Sequence, residues 1–160
     1  SFGTGHHQTT SMMLSYILEN NFQNKKVLDM GCGTGILAIL AAKKGAKHIL
    51  AVDYDNICVD SVKENSELNG ITNIESQLGS KEVIVGNKFD TILANINRNI
   101  LLDQMSTYAD NLDSKGELYI SGFYEEEDLP ILRKCCEELS FTFVSHKVLD
   151  KWCAAKFIKI

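Results

Sequence analysis

The residues able to do chemistry crowd into a few short stretches. The densest is Val27-Leu28-Asp29-Met30-Gly31-Cys32-Gly33-Thr34-Gly35-Ile36. An apolar run stops there in a glycine-dense turn and passes straight into a helical pattern. Gly31, Gly33 and Gly35 remove side chains where a backbone must bend sharply and lie close to a bound molecule. A second apolar run, His48-Ile49-Leu50-Ala51-Val52, ends on Asp53. An acid at the tip of the second strand of such a unit is placed to accept hydrogen bonds from a ribose diol. The two features together predict a pocket for a nucleoside-containing cofactor.

The loop chemistry narrows the choice. A dinucleotide site wants G-x-G-x-x-G with a helix N-terminus on the pyrophosphate, and G-x-x-x-x-G-K-[ST] would mark a P-loop. Here the spacing is G-x-G-x-G, Ile36 stands where the last glycine would fall, and no basic residue lies in the loop. A polyanion is poorly served by that arrangement. A cationic sulfonium with a zwitterionic methionine tail is tolerated, with Asp29 immediately upstream to help.

The elements that must position these residues follow from periodicity. A helix capped at Thr9-Thr10-Ser11 and ending near Asn20-Asn21 precedes a strand over Lys26 to Met30. A helix over Ile36 to Lys44, closed by Gly45, leads to a strand over His48 to Asp53. A helix over Val59 to Leu68 and a short strand over Ile74 to Leu78 come next. The rest reads as strand Phe89 to Ala94, helix Leu101 to Leu112, strand Gly116 to Ser121 and helix Leu129 to Leu139. The closing strands, Phe141 to Leu149 and Trp152 to Ile160, leave no room for a crossover between them, so they must form an antiparallel hairpin. The predicted fold is α/β: a doubly wound, mostly parallel seven-stranded sheet with a C-terminal antiparallel hairpin. Gly31 to Gly35, Asp53, Leu78-Gly79 and Asn95 all fall on carboxyl ends of strands, where such sheets bind ligands.

This is the pattern of the class I S-adenosylmethionine-dependent methyltransferases. More specifically, Phe2-Gly3-Thr4-Gly5-His6-His7-Gln8-Thr9-Thr10 resembles the F-G-T-G-x-H-x-T-T segment of the ribosomal protein L11 methyltransferase family. Agreement continues through Asp29 to Ile39, Val52-Asp53-Tyr54-Asp55, Glu64-Asn65, Asn69-Gly70, Ala94-Asn95-Ile96, Ser121-Gly122 and Trp152-Cys153. Gln8 stands where the family usually has proline, and Asn97-Arg98-Asn99 departs from its Leu or Tyr and small residues. The resemblance implies an enzyme that methylates amino groups, lysine side chains or an N-terminal amine, of a large-subunit ribosomal protein. It implies S-adenosyl-L-methionine as cofactor and S-adenosyl-L-homocysteine as product. By matched position its cofactor contacts fall on Thr10, Gly31, Asp53 and Asn95, and Phe2, Gly3, Thr4, Asp29, Gly33, Gly35 and Leu78 join the expected cofactor-binding set. Asn95 is the expected catalytic residue, orienting the amine; otherwise it caps a turn.

Residues 1–160 read as one methyltransferase domain, large enough to bury a single core. The absence of an initiator methionine suggests the C-terminal catalytic part of a longer protein whose substrate-gripping N-terminal domain is not included. The net charge of −5 argues against a general nucleic-acid binder. No apolar run approaches a membrane span, and five cysteines without C-x-x-C suit a reducing cytoplasm. A monomer without metal or direct nucleic-acid contact is expected.

Other residues carry two readings each. Phe2 covers the cofactor or pins the N-terminal segment, and Gly3-Thr4-Gly5 is a lid or a loose end. His7 suits a hydrogen-bonded structural role better than metal binding, since adjacent histidines point apart. Glu125 to Asp128 complements a helix N-terminus or attracts a basic substrate; Trp152 is core or lines a substrate channel. Asn97 and Arg98 read as a solvated turn before substrate contact. The competing functions are a methyltransferase of the same fold acting on another protein or a small amine, and a cofactor-binding module without catalysis.

Overall fold

Two strands buried along nearly their whole length form the spine of the molecule. In the computed structural model, which describes residues 5–160, these are β1 (Lys26–Met30) and β4 (Phe89–Asn95). Such continuous apolar runs belong in the middle of a parallel sheet covered on both faces. The neighbours are β2 (His48–Asp53), β3 (Ile74–Leu78), β5 (Leu112–Tyr124), β6 (Phe141–Leu149) and β7 (Trp152–Lys159). The seven strands run in the order β3-β2-β1-β4-β5-β7-β6. The first five are parallel, and β7 lies antiparallel between β5 and β6. Strand order reverses between β1 and β4, so a crevice opens beyond their carboxyl ends.

Helices α1 (His6–Glu19), α2 (Ile36–Lys43) and α3 (Asn56–Leu68) cover one face. Met13, Ile17, Leu37, Ala38 and Val62 pack there on Val27, Ile49, Leu93 and Tyr119. Helices α4 (Arg98–Asp110) and α5 (Glu125–Glu138) cover the other, with Leu101, Met105, Tyr108 and Leu132 on Leu28, Ile92, Leu118 and Phe157. A 3-10 turn, Lys81–Ile84, follows β3. Among the described residues no helix is long and apolar enough to cross a membrane.

The predicted fold class and hairpin stand, while several element ends move. Four helices begin three or four residues earlier than the apolar pattern indicates. Thr9 caps nothing: α1 starts at His6 with Gly5 before it, and the Thr9 hydroxyl turns back to the Gly5 and His6 carbonyls at 3.0 and 3.3 Å. Asp55 starts α3 by accepting from Ile57 N–H at 2.9 Å, and Asn97 starts α4 by accepting from Ile100 N–H at 3.1 Å. The first turn of α5 is Glu125, Glu126, Glu127 and Asp128, in keeping with a complement to the helix N-terminus. Asp128 accepts from Tyr124 N–H at 2.9 Å and pairs with Arg98 at 3.0 Å, tying α5 to the start of α4. Strand β5 is also longer than expected and carries a bulge between Ser121 and Phe123. His7 is solvent-exposed rather than built into the structure, whereas Trp152 is buried and stacks on Tyr124 at 4.2 Å.

Candidate cofactor cleft and its neighbours

At the crevice between β1 and β4 the chain folds around a cleft of about 520 Å³. The glycine turn forms its floor, and each glycine has a different task. Gly31 (φ 74°) bends the chain out of β1, donates to Val52 O at 2.8 Å, and lies so near Ile96 that a Cβ would stand 3.1 Å from Cγ2. Gly35 (φ 90°) starts α2 and is packed so closely against Val62 of α3 that a Cβ would stand 3.1 Å from Cγ2. Gly33 (φ 54°) differs, because a Cβ there would meet nothing within 4 Å, and it lines the cleft. Its bareness serves whatever enters.

Asp53 stands over that floor at the end of β2, only 8% exposed. Its Oδ2 accepts from Gly33 N–H and its Oδ1 from Asp55 N–H, both at 3.0 Å. A carboxylate offers about four lone-pair sites, so each oxygen keeps capacity for one ligand donor. The neighbouring thiols feel this acid: burial first, then Asp29 and Asp53, push the Cys32 thiol far up, and Cys58 is raised by burial and by Asp53 and Asp55. Among the described residues, those lining the cleft include Asp53, Asp55 and Asp103, with His6 and no lysine or arginine. The wall is therefore suited to a cation and unsuited to a polyphosphate.

On the opposite wall Asn95 leaves β4 toward α1. Its Nδ2 donates to Thr10 Oγ1 across 3.5 Å, while its Oδ1 is buried with no partner. A buried carbonyl oxygen left without a donor costs about 1–3 kcal/mol, which a donor on a ligand recovers. The next residue, Ile96, donates its N–H to Ser121 O at 3.1 Å. At Gly122 (φ 101°) the β5 bulge brings its backbone so close that a Cβ would stand 2.5 Å from Ile96 O.

Of the expected site residues, Thr10, Gly31, Gly33, Asp53 and Asn95 converge on this cleft. Three do not line it. Asp29 is fully buried beneath the turn, with neither carboxylate oxygen at hydrogen-bond geometry, and burial raises its acid to about 7. The Ala38 N–H pulls that value down somewhat and the Asp53 charge pushes it up. Gly35 serves helix packing, and Leu78 is exposed and does not line the cleft, while the next two residues, Gly79 and Ser80, do. Phe2, Gly3 and Thr4 lie outside the described residues. Sequence reasoning missed Ser80 and Gln104, which are joined by a 3.0 Å bond from Gln104 Nε2, with Tyr108 OH donating to Gln104 Oε1 at 2.5 Å. The i,i+4 spacing of Gln104 and Tyr108 is the one local signal of that network.

Comparison with known proteins settles the family. The family model described as "Ribosomal protein L11 methyltransferase (PrmA)" matches residues 1–159. The chain belongs to that family. Relatives named ribosomal protein L11 methyltransferase include one from Porphyromonas gingivalis, 49% identical over 158 residues, covering 98% of this chain and 54% of the relative. Another, from Bacteroides thetaiotaomicron, is 48% identical over 158 residues, covering 98% of this chain and 56% of the relative. The chain thus spans about half the length of the curated relatives it matches. A crystal structure of ribosomal protein L11 methylase from Lactobacillus delbrueckii subsp. bulgaricus superposes with a TM-score of 0.89 at 35% identity, covering 96% of this chain and 80% of that one. A magnesium protoporphyrin IX methyltransferase from Synechocystis, solved with bound SAM, shares the fold with a TM-score of 0.80 at 19% identity, covering 98% of this chain and 80% of that one.

Proposed function

We propose that residues 1–160 are the catalytic domain of an S-adenosylmethionine-dependent N-methyltransferase acting on amino groups of a large-subunit ribosomal protein. The observation that carries this reading is the Asn95 Oδ1, a buried acceptor without a partner in a family-matched cleft whose described lining holds three aspartates and no lysine or arginine. The family and the printed names of its relatives support a ribosomal-protein substrate, and with it a cytoplasmic setting. The neighbour solved with SAM supports the cofactor. A monomer that makes no direct nucleic-acid contact fits the acidic balance of the chain, net −5.

The residues fit that cofactor on their own chemistry. Asp53 has acceptor capacity for a ribose diol, Gly33 leaves room for close approach, and the acidic wall tolerates a positive sulfur. When bound, the cofactor supplies an electrophilic methyl group on a sulfonium, which leaves as a neutral thioether. Asn95 does the positioning: its Oδ1 accepts one N–H of the incoming amine and turns the nitrogen lone pair inward. The amine must arrive neutral, although a free lysine titrates near about 10.4. A dry pocket beside a cation lowers that value by desolvation and like-charge repulsion. After transfer the extra proton passes to water, so no side chain is needed as general base.

The test is methyl transfer from tritiated S-adenosylmethionine to large-subunit proteins from cells lacking their own ribosomal-protein methyltransferase. The reading expects label on one protein, retained on lysine or an N-terminal amine after hydrolysis. Label on RNA or on carboxyl groups would overturn it.

A further inference from the structure

Along the sheet edge the order is Ser80 after β3, Asp53 ending β2, the glycine turn after β1 and Asn95 ending β4. A nucleoside with its ribose on Asp53 and its sulfur toward Asn95 therefore carries its base toward Ser80. Three linked side chains stand at that end. Tyr108 OH donates to Gln104 Oε1 at 2.5 Å, and Gln104 Nε2 donates to Ser80 Oγ at 3.0 Å. Resting on the methyltransferase reading above, we infer that Gln104 and Ser80 read the base of the cofactor by donating to a ring nitrogen of the purine. Tyr108 is the positioning residue that fixes which way the Gln104 amide faces.

The hydrogen-bond capacity of this chain leads to that role. Tyr108 is fully buried, and burial, with a smaller push from Asp103, raises its phenol, so it keeps its proton. Gln104 is the acceptor for that proton. Turning the amide over would strand the proton in the core, so the oxygen faces Tyr108 and the NH₂ faces Ser80. Ser80 is constrained as well. Its N–H goes to Glu82 Oε1 at 2.9 Å, its carbonyl takes Val83 N–H at 3.2 Å, and its hydroxyl oxygen takes the Gln104 bond. Two protons are left over: the second N–H of Gln104 and the hydroxyl proton of Ser80. Among the described residues neither has an acceptor, and both residues line the cleft. Asp55 and Asp103 on the same lining repel an anion, so the fitting partner is an uncharged acceptor, which adenine supplies at its ring nitrogens. Ile100, one turn before Gln104 on α4, lines the cleft too and offers a flat ring an apolar surface.

The experiment is calorimetric titration of the chain with S-adenosylhomocysteine and with its 1-deaza, 3-deaza and 7-deaza adenine analogues, each of which replaces one ring nitrogen by C–H. We expect one of the three to bind about tenfold more weakly than the parent, as for a lost hydrogen bond that leaves a buried donor unpaired. The other two should bind within about twofold of it. Gln104→Glu removes the NH₂ and takes up the Ser80 hydroxyl proton; the parent should then bind about tenfold more weakly, level with that analogue. Ser80→Ala, at a half-buried position that the fold tolerates more easily, should narrow the gap to about threefold. Tyr108→Phe frees the amide to turn and should also narrow it to about threefold, a ratio that general loosening of the fold leaves unchanged. Equal binding of all four compounds, or an undiminished gap in Gln104→Glu or Ser80→Ala, overturns the assignment and leaves the cofactor site standing. An unchanged gap in Tyr108→Phe removes its positioning role. Uptake of none of the four compounds would overturn the methyltransferase reading itself.

Discussion

Removing the Asp53 carboxylate separates what that acid does for the fold from what it does for the ligand. Two of its lone-pair sites hold Gly33 N–H and Asp55 N–H at 3.0 Å, and the capacity left over faces the cleft. Asp53→Ala deletes the acceptor for a ribose diol, worth about 1.5–3 kcal/mol for hydrogen bonding to a charged group. The dissociation constant of S-adenosylhomocysteine should therefore rise about 10- to 150-fold. The two backbone donors lie only partly buried, so water reaches them and the stability loss stays near the low end of about 1–3 kcal/mol. Asp53→Asn keeps one oxygen acceptor but turns an NH₂ toward a backbone donor, and should fall between alanine and wild type. The assay is isothermal titration with S-adenosylhomocysteine beside urea unfolding of the same samples. Affinity within twofold of wild type in Asp53→Ala would refute the assignment.

Asn95→Ala should lower kcat with little change in cofactor affinity, because the lost contact is to the amine; single-turnover transfer compared with calorimetry checks this, and unchanged turnover would remove Asn95 from the reaction. Gly122→Ala places a Cβ against the Ile96 backbone at positive φ, so it should cost at least about 2 kcal/mol in urea unfolding and reduce kcat by displacing the segment that carries Asn95. Asp29 makes stability depend on pH. Its folded-state acid lies near 7, above the ordinary 3.8, so the folded form holds the proton more tightly than the unfolded one. Stability is then fullest below about pH 4, falls as pH rises toward 7 and levels above it. Asp29→Asn should remove that component, and the difference between wild-type and variant urea midpoints should change between pH 5 and pH 8. A constant difference would show that Asp29 does not titrate in this window.

Strands β1 and β2 lie on the residues expected of them because each is a short, mostly apolar and buried run, and β3, polar at Glu75, Ser76 and Gln77, is bounded by Ile74 and Leu78 as expected. The early helix starts were not legible, because the first turns at Asn56, Arg98 and Glu125 are polar and exposed or held by single caps. An apolar periodicity cannot see a turn that buries no apolar side chain. The cleft was partly legible. The strand–turn–helix spacing places Gly33 and Asp53 at one sheet edge, and a hydrogen bond ties them together there. Asp29 and Leu78 share strands with true lining residues, yet one is buried beneath the turn and the other lies one residue short of Gly79. The Gln104–Ser80 link and the Gly122–Ile96 contact join segments distant in sequence, and nothing local announces them. A smaller cavity of about 470 Å³, lined by Asn97, Gly122, Tyr124 and Trp152, arises in the same way, from β5, β7 and the starts of α4 and α5 meeting at one corner.

The most direct test of the account is calorimetric titration of the chain with S-adenosylmethionine, S-adenosylhomocysteine and NAD in parallel. The account predicts one saturable site for each adenosyl sulfur compound, lost or greatly weakened in Asp53→Ala, and no measurable uptake of the dinucleotide. Binding of NAD, or no heat from either adenosyl compound, would contradict it.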